Sequence, residues 1–138
     1  MFRYIFCLLV VLLLLPVNAS LAVSDDNKPA TDAARQWVSL IDQGQYAESW
    51  EKASELFRES ISRADWVKSL EMVRAPLGDV ISREVKNTAR VTSLPGAPEG
   101  FYVIAEFDTS FQNKAGTIET ITMSRQDNKW SVGGYYIR

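Results

Sequence analysis

Carboxylates and phenols gather in the last third of the chain, among them Tyr102, Glu106, Asp108, Glu119, Tyr135 and Tyr136. These are the residue types of a carboxylate acid–base site in which a phenol steadies a developing oxyanion. Glu119 stands out because it shares strand parity with Ile121 and Met123, which belong on a buried face. A carboxylate there needs a cationic partner or its pKa rises, and Arg83 and Lys114 are the candidates. An ion pair that ties a hairpin together is the stronger expectation, since structural and catalytic carboxylates share this signature. Glu106 and Asp108 lie on the opposite parity. They are expected to face solvent, or to join a sheet-to-sheet dimer contact through Tyr102 and Ile104. Arg74 is expected at the last carbonyls of a helix. With Arg83 it is also a candidate for holding an anion at a pocket mouth.

The chain of 138 residues has no histidine and one cysteine, Cys7. That excludes serine–histidine triads and histidine acid–base catalysis. Without mature cysteine it also excludes cysteine–histidine zinc sites. No catalytic residue, metal site or cofactor is assigned. Acidic and basic residues are interspersed at a net charge of −2, and no basic patch with aromatics suggests nucleic acid.

The N-terminus has the layout of a cleavable export signal. Arg3 precedes an apolar run from Tyr4 to Leu15, Pro16 breaks it, and Ala19, Ser20 and Ala22 follow. The run is shorter than the roughly 20 residues that span a bilayer, so no stable membrane span is expected after cleavage. Cleavage is expected after Ala22, with Ala19 as the alternative. Cys7 lies away from the cleavage site, so a lipid-modified N-terminus is not expected. Residues 1–22 are the leader and 23–30 a flexible tether. Residues 31–138 form one domain that must fold without a disulfide.

Hydrophobic spacing predicts three helices. The first is capped by Thr31 and buries Ala34, Trp37, Val38 and Ile41. Gly44 follows its end. The second runs from Tyr46 to Phe57 or Ser60 with Tyr46, Trp50, Ala53 and Phe57 as its stripe. The third is capped by Ser62 with Asp65 three residues on, carries Trp66, Leu70 and Val73, and ends before Pro76. Trp37, Trp50 and Trp66 fall on these seams and are expected in the core rather than in a ligand cage.

From Gly78 the period changes to two. A first strand from Asp79 to Thr92 has Ile81, Val85, Ala89 and Val91 as anchors, with a bulge expected near Asn87-Thr88. Leu94 to Gly100 is a turn, with two prolines and two glycines. Phe101 to Phe111 is the strand of best alternation, with Phe101, Val103, Ala105, Phe107 and Phe111 inward. Gln112 to Gly116 is read as a hairpin loop and Thr117 to Arg125 as a threonine-rich strand. After the turn Gln126-Asp127-Asn128, the last strand runs from Lys129 to Ile137 with Trp130, Val132 and Tyr136 on one face. The fold class is α+β, with three helices packed on one face of a four-stranded antiparallel sheet.

The segments Arg74-x-Pro76-Leu77-Gly78, Arg83, Leu94-Pro95-Gly96-x-Pro98-x-Gly100, Phe111-x-Asn113-Lys114, Glu119 and Trp130-x-Val132-x-Gly134-Tyr135-Tyr136-Ile137, with Trp50 and Trp66, resemble a family of small exported bacterial proteins, the domain of unknown function 4019. The resemblance implies the periplasm of a Gram-negative bacterium. It also implies a cone-shaped fold like nuclear transport factor two or the cystatins. It implies no activity. Folds of that shape often hold a pocket between sheet and helices, which makes Arg83, Glu119, Tyr136 and Trp66 the candidate ligand-binding residues. Tyr102, Ile104 and Glu106 are the candidate interaction surface, for a homodimer through the outer sheet face or for an envelope protein. The expectation is a non-catalytic module that binds a small molecule or a protein. An accessory subunit of an envelope complex is the alternative. A small enzyme using carboxylate and tyrosine chemistry comes third.

Overall fold

The strand of best alternation is the inner strand of the sheet. In the computed structural model, which describes residues 26–138, β2 (Phe101–Phe111) lies between β1 (Val80–Val91) and β3 (Lys114–Gln126). β4 (Lys129–Ile137) completes an antiparallel meander in the order β1-β2-β3-β4. The leader, with Cys7, and residues 23–25 of the expected tether lie outside the described residues.

Val103, Ala105, Phe107 and Phe111 are buried as their parity requires, and Thr109 is buried with them. Phe101 is the exception at 62% exposed, because it starts the strand beyond the helices' cover. Tyr102, expected on the wet parity, is buried instead. The connector after β1 folds back on it, so that its hydroxyl donates to the Pro98 carbonyl.

Four helices precede the sheet: α1 (Lys28–Asp42), α2 (Tyr46–Glu51), α3 (Glu55–Ser60) and α4 (Arg63–Val73). α1 starts before the expected cap. Asn27 precedes it, Pro29 fits the first turn where no N–H is needed, and Thr31 sits inside with its hydroxyl donated to the Asn27 carbonyl. Its buried face carries the expected Ala34, Trp37, Val38 and Ile41. The expected second helix is two helices. Ser54 breaks it by accepting the Phe57 N–H on its side chain and donating its own N–H to Val132 of β4. The apolar stripe survives the break, with Ala53 and Phe57 buried and Tyr46 and Trp50 packed against the core. Ser62 caps α4 through Asp65 as its spacing predicts.

α1 lies over β2, β3 and β4, and α3 packs on β4. β1 extends past this cover. Its expected anchors Ile81, Val85 and Ala89 are exposed, and irregularities between Val80 and Ser82 and between Val85 and Asn87 break its alternation. Such interruptions are common on sheet edges. The core joins Val103, Ala105, Phe107, Ile121, Met123 and Val132 of the sheet to Trp37, Val38, Ile41, Phe57, Trp66 and Leu70 of the helices. No helix among the described residues is long and apolar enough to cross a membrane.

β4 departs from its expected faces. Thr122 pairs with Gly134 but Met123 with Val132, so Gly133 is an extra residue on β4. A one-residue bulge exchanges the faces of everything beyond it. Trp130 and Val132 point inward as expected, but Tyr135 then takes the inner face and Tyr136 is 61% exposed.

Candidate functional site

Buried strand parity puts Glu119 under the helices with no solvent exposure. Its Oε1 accepts from Arg83 Nε at 2.7 Å and from Thr109 Oγ1 at 2.6 Å, and its Oε2 accepts from the Tyr135 hydroxyl. Arg83 is the partner, and Lys114 stands exposed at the start of β3. The other two Arg83 nitrogens fork onto Asp42 at the end of α1, at 2.7 and 3.0 Å. Asp42 in turn accepts from Arg74 at 3.2 Å. Arg74 also donates to the Gly78 carbonyl at 2.6 Å and lies 4.4 Å over the Phe111 ring.

The result is an alternating chain, Glu119–Arg83–Asp42–Arg74, buried at both ends and half-buried at Asp42, whose charges cancel. Burial works against the charge of Arg83, but its hydrogen bonds to Asp42 and Glu119 and their charges outweigh it and raise its pKa further. Burial, then the neighbouring Glu119 carboxylate, raises the Tyr135 phenol well above its ordinary value. Tyr135 therefore stays a neutral donor. Arg83 is engaged on both sides and Glu119 accepts three donors. Removing one partner of such a buried pair costs about 3–5 kcal/mol, which makes the chain a clamp between α1, β1, β3 and β4.

Of the four candidate ligand-binding residues, Arg83 and Glu119 meet in this clamp. Trp66 lies beside Tyr135, with ring centroids 6.2 Å apart, in an aromatic cluster with Trp37 and Phe57. Tyr136 is separated from Glu119 by the bulge, and with Trp66 it edges an apolar groove of about 220 Å³ between α4 and β4. Tyr135, one residue away, is the tyrosine that meets Glu119. Of the candidate interaction surface, Ile104 and Glu106 are half-buried, and Glu106 accepts from Arg138 at 3.1 Å. The buried Tyr102 offers little to a partner on that face.

Two further clefts open where β1 and β3 finish and β2 and β4 begin. The smaller, about 310 Å³, lies between α1 and the sheet and is lined by Trp37, Leu40, Lys52, Met123 and Trp130 among others. The larger, about 600 Å³, is lined by Arg90, Thr92, Phe101, Tyr102, Arg125 and Trp130 among others. Trp130 is a wall of both. Three of the four tryptophans have partnered indole N–H groups: Trp37 donates to the Ser49 carbonyl at 2.8 Å, Trp50 to the Ile61 carbonyl at 2.8 Å and Trp66 to Ser49 Oγ at 2.9 Å. The Trp130 N–H donates to no group among the described residues. Sequence reading placed Trp130 on a strand face and in the last segment of the family resemblance, with no binding role. Its type was the available signal, but its lack of a partner was not visible there.

No three His, Cys, Asp or Glu side chains are grouped to hold a metal ion among the described residues. Geometry therefore defines an α+β protein with a closed internal ion-pair chain and an open aromatic cleft at one end of its sheet. The chain belongs to the family of proteins of unknown function DUF4019, whose model matches residues 33–135. A comparison with curated proteins finds no match.

Proposed function

We propose that the protein is an exported, non-catalytic binding module whose ligand site is the pair of clefts around Trp130. One observation carries this reading. Trp130 walls both clefts and its indole N–H donates to no group among the described residues, while the other three tryptophans are bonded into the fold. An aromatic wall with a free donor is a common element of small-molecule sites. The combined clefts fall within the size range of such sites. The carboxylate–tyrosine site that an enzyme would use is engaged with itself, since Tyr135 and Thr109 both donate to Glu119. The order of helices followed by a four-stranded meander supports a cone-shaped architecture like nuclear transport factor two or the cystatins. The N-terminal apolar run ending in small residues supports export to the periplasm.

A second reading, an accessory subunit of an envelope complex, is favoured by the groove between α4 and β4. Val73 and Tyr136 there are 55% and 61% exposed. Native mass spectrometry of the protein taken gently from periplasm tests both readings. The expected result is a chain starting at Val23 that carries a small molecule, and Trp130→Phe loses that adduct. An empty chain bound to another polypeptide would replace the first reading with the second.

A further inference from the structure

Resting on the ligand-binding reading above, we infer that the cleft around Trp130 takes an anion with a flat or extended apolar body. Its lining carries Arg90 and Arg125 in the larger cleft and Lys52 in the smaller, and no carboxylate lines either one. None of these three cations forms an ion pair among the described residues. The two arginines bond only to neutral acceptors. Arg90 donates to Asn27 Oδ1 at 2.6 Å and to the Asp26 carbonyl at 2.7 Å, and Arg125 donates to Asn128 Oδ1 at 3.2 Å. Their positive charge is therefore left uncompensated at the cleft, in a chain whose net charge is −2. Arg74 and Arg83 differ, since Asp42 and Glu119 neutralise them.

The walls supply the second half of the specificity. The Arg125 guanidinium lies 5.4 Å from the centre of the Phe101 ring, and that ring is 62% exposed. Phe101 and Trp130 give aromatic surface for an apolar body. A guanidinium fork beside it suits a carboxylate, sulfonate or phosphate group. The Trp130 N–H adds a third donor.

Two probes with the same aromatic body separate the charge from the cleft. One is 8-anilinonaphthalene-1-sulfonate and the other the uncharged N-phenyl-1-naphthylamine, each titrated into the mature protein and followed by probe emission. The sulfonate is expected to saturate one site about tenfold more tightly than the neutral amine, the equivalent of one charged hydrogen bond. Arg125→Gln should remove most of that preference and leave the neutral probe unchanged, whereas Trp130→Phe should weaken both. Raising salt from about 0.05 to about 0.5 M should weaken the sulfonate alone, and this reading needs no variant. Equal affinity for the two probes, indifferent to salt and to Arg125→Gln, overturns the anion inference while the cleft stands. Binding of both probes that ignores Trp130→Phe overturns the cleft itself.

Discussion

At the scale of single residues, the buried polar bonds converge on Glu119, which accepts from Arg83, Thr109 and Tyr135. Parity with Ile121 and Met123 placed Glu119 inside, and the cost of a buried charge called for a cation, with Arg83 and Lys114 both open. Asp42 gave no such sign, because it ends a helix on the polar side of the first seam and meets Arg83 only through tertiary packing. Tyr135 was hidden by one extra glycine that exchanges the faces of β4. Its phenol carries a pH prediction. Folding raises its pKa, by burial first and then by the Glu119 charge. The stability it contributes is therefore fully present below the unfolded pKa of about 10 and is lost as pH rises through the folded value. Urea unfolding from about pH 8 to about pH 11 should show wild type losing stability more steeply than Tyr135→Phe. At the lower pH the variant should be weaker by roughly 1.5–3 kcal/mol, the value of a hydrogen bond to a charged acceptor. Parallel pH curves would mean that the phenol does not titrate against the folded state.

At the scale of elements, two of the segments that carry the family resemblance meet in space. After α4, a 3₁₀ turn at Ala75–Leu77 brings the chain to Gly78. The tip of the β2–β3 hairpin closes on this turn, with Asn113 donating from its side chain to the Pro76 carbonyl at 3.0 Å and from its backbone to that of Leu77 at 2.9 Å. Arg74 lies over Phe111 and holds the Gly78 carbonyl. Gly78 has φ +77° and ψ −157°, a region essentially confined to glycine, and an added Cβ would stand 3.0 Å from side-chain atoms of Gln112 and Asn113. Gly78→Ala should therefore lower the unfolding free energy by about 1–3 kcal/mol, seen as a lower urea midpoint with an unchanged slope. An unchanged midpoint would show that the hairpin tip yields without cost. The glycine, the proline before it and the turn were readable in the chain, but their hydrogen-bonding partners were not. The break between α2 and α3 was masked for a similar reason. Ser54 keeps the apolar stripe in phase, so periodicity ran through a capping residue whose N–H is taken by a strand far along the chain.

Across the whole molecule, the groups that hold the fold and the groups offered for binding are largely different residues, with Trp37 and Met123 shared between the core and the smaller cleft. The Glu119–Arg83–Asp42–Arg74 chain and the Trp37–Phe57–Trp66–Tyr135 cluster are largely buried and joined to several elements. The clefts draw on four strand ends, α1 and the residue after α2, so no single stretch of sequence displays them. Stability and binding should therefore separate under mutation. A ligand that binds only the folded state at about one hundred times its Kd adds roughly 2.7 kcal/mol. For a domain of this size that is a rise in Tm on the order of 10 °C. With 8-anilinonaphthalene-1-sulfonate as the ligand, calorimetry should show this rise for the mature wild-type protein. Trp130→Phe should unfold within about 1 kcal/mol of wild type when unligated, because its half-buried indole is exchanged for a smaller ring. It should nevertheless lose most of the ligand-induced rise. If Trp130→Phe lowers the unligated Tm by as much as Gly78→Ala while keeping the full rise, Trp130 belongs to the scaffold and the binding surface must be sought in the groove between α4 and β4.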